Sequence, residues 1–429
     1  PPGEYRILVS KEGFRPASHP NLKLEVDQIA EIDFVLRVGA VTEEIQVTDA
    51  APVLSTSEAS QSQVIRSRRM VDMPLNGRDY IQLALLSAGA LDHLNGRVKG
   101  FSAAGQRTTQ NNYTIDGIDN NSLQIAAQVR RGEVIKPPVD AIREFRISTN
   151  AYSVTTGRGL GGNVNISIRS GSNHLHGTAY HFLRNEALDA KNFFDPAEKP
   201  KPPFKRNQFG FAAGGPVARN RTFFFGDLEE TLVRESATYN QTIPTPEQLA
   251  GDFSNTPQAI HDPATFNGQT GLRQPFAGNV IPAARIDPVA RAASAWYPAP
   301  NRPGLTQNFL YNSPDREDVR KWDARIDHRF TESDNVFVRY SHQNDAVPGA
   351  LALPSGLDGD GTDFRHRGRN LGAVWNHVFS VNLIANVKLG WNHVASRRDA
   401  VIRQNLNGAI GLRGVDQNLP GAALFSIAG

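Results

Sequence analysis

From about residue 173 onward the chain alternates in hydropathy, and a period of two restricts it to β-strands with two unlike faces. Over residues 321–330, Trp322, Ala324, Ile326, His328 and Phe330 share one face; Lys321, Asp323, Arg325, Asp327 and Arg329 share the other. After a turn at 331–334, Val336, Val338 and Tyr340 resume the apolar face opposite Phe337, Arg339 and Ser341. Leu371, Ala373, Trp375, His377 and Phe379 repeat the pattern, and after a tight turn at 380–382 so do Leu383, Ala385, Val387, Leu389 and Trp391. Runs at 177–185, 208–214 and 222–228 follow it less cleanly, giving about seven strands. Short turns (219–220, 331–334, 380–382) trade with long polar connections (about 187–205, 242–317 and 343–366). Short on one side and long on the other is the layout of an outer-membrane barrel. The alternative is a large soluble sandwich or propeller with insertions; aromatics near strand ends and mixed charges on the opposite face favour the barrel. Bacterial single-chain barrels use an even number of strands, so an odd set predicts an incomplete barrel. The chain also opens inside a strand-like run at 4–9 and stops at Ala428-Gly429, so an internal fragment is expected.

Composition removes several other classes. The richest apolar run, 81–91, is broken by Ser87 and Gly89 and is too short for a spanning helix. A mean hydropathy of -0.41 does not exclude a barrel, whose alternating strands stay quiet in such a sum. Lys+Arg 46 against Asp+Glu 43 leaves +3, too balanced for nucleic-acid binding through phosphate neutralisation. With no cysteine there is no disulfide scaffold, zinc ribbon, iron–sulfur cluster or cysteine nucleophile.

Four stretches follow. Residues 1–40 carry three short strand-like runs (4–9, 22–26, 32–38) that fit the end of a β-sandwich. Residues 41–60 are a linker with one alternating run and a polar tail. Residues 61–172 are mixed α/β: a short helix at 78–87 with Tyr80, Leu83, Ala84 and Leu86 on one face, an Asp-Gly hairpin at 113–119, and strands at 142–148 and 163–169. Residues 173–429 are the barrel strands. Within the connection 242–317, Thr245-Pro246-Glu247 and Asp287-Pro288 are cap-then-proline helix starts. Trp296, Tyr297, Phe253 and Phe266 are its candidate ligand contacts, or else pack the loop onto itself.

Several motifs are weighed and set aside. Gly157, Gly159 and Gly162 satisfy G-x-G-x-x-G, but an alternating strand follows where a dinucleotide site needs a helix. His174 and His176 share a strand face, yet two ligands without a third make no metal site. The oxygen ligands of 358–363 alternate as in calcium loops but lack the sixth-position glycine and distal glutamate, so a solvated turn is expected. Asp116 and Asp119 suggest acid–base work, yet Asp-Gly is ordinary tight-turn chemistry. No catalytic constellation, metal or cofactor is expected.

Residues 74–83 (Pro-Leu-Asn-Gly-Arg-Asp-Tyr-Ile-Gln-Leu), Gly105-Gln106-Arg107 and residues 112–121 (Asn-Tyr-Thr-Ile-Asp-Gly-Ile-Asp-Asn-Asn) resemble the plug of a TonB-dependent outer-membrane transporter. The resemblance is specifically to the Oar-like group, in which a carboxypeptidase-regulatory-like sandwich precedes the plug. Gly157-Arg158-Gly159, Gly161-Gly162 with residues 163–166, and residues 170–173 resemble the last plug strand and its exit. Residues 176–180 with 183–185 resemble the first barrel strand; residues 207–210, 214–217 and 223–225 resemble the next two. One departure is Thr155-Thr156, where the family carries an acidic residue and an aromatic.

The resemblance implies an outer-membrane protein of a Gram-negative-type bacterium, with a barrel of about 22 strands filled by the plug and the sandwich in the periplasm. Such proteins take up scarce or bulky ligands, driven through TonB by the proton gradient. The plug motif falls on Asn76, Gly77, Arg78, Asp116, Gly117, Asp119, Gly157, Arg158, Gly161 and Gly162. Glu43, Glu44, Ile45, Gln46, Val47 and Thr48 resemble the segment that pairs with TonB as an added strand; their other reading is the last strand of the sandwich. Lys321, Asp323, Arg325, Asp327 and Arg329 either hold the plug at the lumen or line a hydrated wall. Outer-membrane lipid is the second expected partner. A non-transporting receptor or adhesin on the same scaffold is the alternative function, and a secreted glycan-binding β protein a third. Iron chelates, oligosaccharides, peptides and an exported protein all stay open as ligand.

Overall fold

The computed structural model describes residues 3–24, 32–39, 45–46, 61–92, 100–122, 132–150, 159–191, 201, 203–349, 351–355, 362–380, 382–401, 404–416 and 418. The candidate calcium loop lies outside them except for Thr362 and Asp363, and so do Glu43, Glu44, Val47, Thr48, Gly157 and Arg158.

The N-terminal sheet contains β1 (Gly3–Val9), β2 (Ala17–Leu24) and β3 (Ile45–Gln46), in that order. β1 and β2 are antiparallel, and β3 lies parallel to β2 at Ala17 and Ser18. The run expected as a strand at 32–38 is not assigned as one: among the described residues it forms one bridge, Val38 to Phe14 in the connection between β1 and β2. Arg15 N–H donates to Arg37 O at 2.8 Å and Gly39 N–H to Gly13 O at 3.3 Å, and among the described residues the alternation of 32–38 finds no ladder.

An inner domain follows. Its strands are β4 (Gln61–Arg66), β5 (Ala90–Asp92), β6 (Phe101–Ala103), β7 (Asn112–Ile115), β8 (Ile118–Asp119), β9 (Ile142–Asn150) and β10 (Asn163–Ile168). Five of them form a mixed sheet in the order β4-β9-β10-β7-β8; β5 and β6 pair separately. Every residue of β10 is buried, as expected of a central strand covered on both faces. Helix α1 (Ser67–Asp72) packs Met70 into the core. The helix expected at 78–87 is a pair of 3₁₀ turns, Asn76–Arg78 and Tyr80–Leu86, separated at an extended Asp79. The left-handed backbone of Gly77 and Arg78 prevents one continuous α-helix from starting there. Tyr80, Leu83 and Ala84 are nonetheless buried, with Tyr80 over Leu83 and Ile81 over Ala84, as side chains three apart eclipse in a 3₁₀ turn. Leu86, expected on the same face, is 48% exposed.

The third unit is a wall of seven antiparallel strands in sequence order: β11 (His176–Asn185), β12 (Phe204–Ala218), β13 (Thr222–Gln241), β14 (Phe309–Thr331), β15 (Asp334–Val347), β16 (Thr362–Ser380) and β17 (Leu383–Ala400). It is an open sheet, not a closed barrel. The expected alternating runs all fall in these strands, but the strands are longer. β14 has 23 residues, roughly 75 Å at about 3.3 Å each, against the 9–11 that a tilted strand needs to cross a bilayer. Beyond the bilayer both faces meet water, so Asp315–Asp318 carry no apolar alternation although they continue the ladder with β13.

The two faces of the wall differ as the alternation requires. One face meets the inner domain, and wall residues Ala212 and Phe225 join its core. The other leaves large apolar side chains exposed: Ile326 58%, Leu389 67%, Phe379 56%, Trp391 47%. A one-sided apolar belt of this kind is the lipid-facing surface of a transmembrane strand. Among the described residues no helix is long and apolar enough to cross a membrane.

The connection between β13 and β14 contains helices α2 (Pro246–Leu249) and α3 (Pro288–Ser294) at the two expected starts. Thr245 and Gln248 form a reciprocal capping box, and Asp287 accepts from Val289 N–H. Trp296 and Tyr297 follow α3 and pack on Ile243, on Phe309 of β14 and on Leu353 of the β15–β16 connection, so these two side chains tie the loop to its neighbours. Phe266 is exposed. A last short helix, α4 (Leu406–Ala409), follows β17.

Candidate functional site between inner domain and wall

The β7–β8 hairpin turns on Asp116 and Gly117, both left-handed (φ 53 and 74). This is the two-residue turn that Asp-Gly favours. It also thrusts a carboxylate at the wall. Arg339 Nε on β15 donates to Asp116 Oδ2 at 2.9 Å, and Arg325 Nη1 on β14 lies 3.4 Å from Oδ1. Ile168 N–H donates to the same carboxylate at 3.1 Å. Arg339 is wholly buried and donates also to Ser341 Oγ (2.5 Å) and Asn370 Oδ1 (2.7 Å). Ser341 in turn donates to Asp323. Arg325 reaches Asp327 at 2.8 Å and Ile168 O at 3.1 Å, and stacks 3.9 Å over the Phe337 ring. Asp119 O accepts from Asn370 Nδ2 (3.1 Å) and Asn392 Nδ2 (2.5 Å).

A second contact forms at Asn76, Gly77 and Arg78. Arg206 Nη1 on β12 donates to Asn76 Oδ1 at 3.0 Å, and Gln208 Nε2 to Gly77 O at 3.4 Å. Arg78 pairs with Asp140, lies 4.0 Å from Glu229, and stacks on Tyr180 and Phe182 at 4.6 and 4.7 Å. A third contact centres on Lys136. Its N–H donates to Gln343 Oε1 on β15 (2.8 Å), and its ammonium meets Asp79 (2.6 Å). Burial alone would push the Asp79 carboxyl up; the Lys136 ammonium and the Ile81 N–H outweigh it and hold the group below the ordinary carboxylate range. A depressed folded value stabilises the fold above the unfolded value of about 3.9, and that stability is lost as pH falls through the folded value. The thermal advantage of wild type over Asp79→Asn is therefore constant above about pH 5 and disappears below the ordinary carboxylate range. Melting scans across pH check this; an advantage independent of pH down to strong acid contradicts it.

Of the predicted wall residues, Asp323 and Arg325 are buried against the inner domain, Lys321 bonds Glu229 at 3.2 Å, and Asp327 accepts from Ser170 at 2.8 Å. Arg329, nearest the short turn, is exposed. Gly161 and Gly162 sit away from the wall, where a Cβ would meet Asn111 Oδ1 at 2.5 Å and Phe101 Cε2 at 2.8 Å respectively. Ile45 and Gln46 are the described part of the run 43–48, and they pair with β2. Arg339, Asn370, Asn392, Lys136 and Asp140 were not singled out in the sequence. Their signal was weak. Arg339, Asn370 and Asn392 are polar residues at inward register positions whose partners lie more than two hundred positions away, whereas Lys136 and Asp140 lie outside the strands, 57 and 62 positions from Asp79 and Arg78. Among the described residues no group of three His, Asp or Glu side chains converges as a metal site would require.

This arrangement has relatives. A family profile described as "Outer membrane beta barrel domain" matches residues 167–429. The TonB-dependent transporter Oar of Myxococcus xanthus is 24% identical over 252 residues, which are 56% of this chain and 23% of that protein. The chain thus spans about a quarter of the length of the curated relative it matches. The outer-membrane transporter YddB of Escherichia coli superposes with a TM-score of 0.53 at 10% identity, covering 80% of this chain and 40% of that one. The alcaligin outer-membrane receptor FauA of Bordetella pertussis is similar at a TM-score of 0.42 and 11% identity, covering 80% and 49%. With an inward face that is polar, an outward face that is apolar and a profile match running the length of the wall, the chain belongs to the outer membrane beta barrel domain family and is an outer-membrane protein.

Proposed function

We propose that this chain is part of a TonB-dependent transporter, in which the inner domain 61–172 is a plug and uptake of a bulky or scarce ligand requires the plug to shift. The observation that carries this reading is the chemistry between plug and wall. Asp116, Asn76, Lys136 and Asp119 meet the wall through ion pairs and hydrogen bonds rather than a continuous apolar seam. Polar contacts are exchangeable for water, so such a seam can open without exposing a large apolar surface. Likeness to Oar supports the transport class.

The TonB-contacting segment is proposed at Glu43–Thr48, in the periplasm with the N-terminal sheet. Because Ile45 and Gln46 pair with β2, capture by TonB would exchange that pairing for an intermolecular one. In the intact protein, deleting residues 43–48 is expected to weaken binding to the TonB periplasmic domain about tenfold or more. Undiminished binding moves the contact elsewhere. Loss of binding with uptake and fitness unchanged favours the non-transporting receptor, for which the packed cluster around Trp296 and Tyr297 supplies an ordered outer surface.

A further inference from the structure

The outward face of β14–β17 changes chemistry along the strands in register. One row reads Ala324, Tyr340, Leu371, Trp391, and the row below it Ile326, Val338, Ala373, Leu389. The row above reads Trp322, His342, Arg369, His393. Above that, β16 places Arg367 and then Arg365 outward, each two residues further toward the end with the long connections. Their outward direction follows from the opposite parity: Asn370 bonds Asp119 O, and His366 Nε2 lies 3.4 Å from Val134 O, both inside. The long-connection end of a barrel faces outside the cell, so this arginine row sits at the outer-leaflet edge of the apolar belt.

The row is electrostatically unfinished. Neighbouring carboxylates are already engaged: Glu230 with Arg320 (2.9 Å), Asp318 with Arg234 (2.5 Å), Asp399 with Arg397 (2.7 Å). Among the described residues none is left at ion-pair distance from Arg365, Arg367 or Arg369. Arg369 Nε is buried with no acceptor, and Arg365 stands directly opposite Arg397 across the ladder. Like charges in direct register are unfavourable unless an anion lies between them. Guanidinium forks one strand pleat apart suit a phosphate's oxygens, and Leu371, Leu389 and Trp391 directly below suit acyl chains.

We propose that Arg365, Arg367 and Arg369 form a binding site for the phosphate-bearing headgroup of an outer-leaflet lipid, whose acyl chains lie on the adjoining belt. The site stands on family membership and register, independently of whether the protein transports anything. The probe is lipid A carrying two phosphates, offered to the intact protein in neutral detergent beside its dephosphorylated form, with bound lipid counted by native mass spectrometry. Wild type is expected to bind the phosphorylated form roughly tenfold tighter. Arg367→Gln with Arg369→Gln should abolish most of that preference, while the two Lys variants keep part of it. Inorganic phosphate at millimolar concentration should leave the lipid bound; if it displaces the lipid, the site takes free phosphate and the lipid assignment fails. Equal binding of both lipid forms by wild type overturns the proposal, and that comparison needs no variant to fold.

Discussion

Asp116→Asn should loosen the inner domain from the wall by about 3–5 kcal/mol, the cost of leaving a buried cation without its partner. Asparagine tolerates the left-handed backbone that Asp116 adopts, and its side-chain oxygen still accepts from Ile168 N–H, so the change removes charge and little else. Arg339 is wholly buried and loses its carboxylate; Arg325 keeps Asp327 and is affected less. Chemical denaturation of the detergent-solubilised intact protein, with proteolysis of residues 61–172 as readout, checks the loss. A double cycle with Arg339→Ala isolates the pair. Coupling above about 1 kcal/mol is expected, and strict additivity would mean that the pair is incidental.

Gly390→Ala and Gly372→Ala should each displace the same hairpin by steric means. The two glycines face each other across β16 and β17, and Ile118 at the hairpin's return strand fills the notch they leave. A Cβ on Gly390 would stand 2.5 Å from Ile118 Cγ2, and one on Gly372 2.6 Å from Ile118 Cδ1, both well inside contact distance. Overpacking of this kind costs about 1–3 kcal/mol. The clashing atoms differ, which makes the prediction selective. Ile118→Val removes Cδ1 and keeps Cγ2, so it should suppress Gly372→Ala and leave Gly390→Ala uncorrected. The same proteolysis assay reads both. Equal rescue of the two variants would show that Ile118 does not seat as described.

These two sites show which parts of the molecule were legible in sequence. The Asp116-Gly117 turn was, because its backbone requirement is local and only a few residue types meet it. Its anchoring role was not, since Arg325 and Arg339 lie 209 and 223 positions away. The seven wall strands were legible wherever one face meets lipid. Their outer extensions were not, because a strand wet on both faces has no reason to alternate. Residues 32–38 give the converse case: they alternate, yet among the described residues they form a single bridge, to Phe14, since alternation prepares a strand without supplying its neighbour. The inward glycines Gly372 and Gly390 left a faint signal, as glycine inside a strand marks close approach of another backbone or side chain, but not which one.

The central claim, that residues 61–172 seal the barrel, is tested most directly by conductance. The intact protein reconstituted in a planar bilayer is expected to be silent, and removal of residues 61–172 should open a large, steady pore. Asp116→Asn should fall between the two, with intermittent openings. If the protein lacking 61–172 inserts and stays as silent as the intact one, the inner domain is not what closes the barrel, and the transport reading built on it falls.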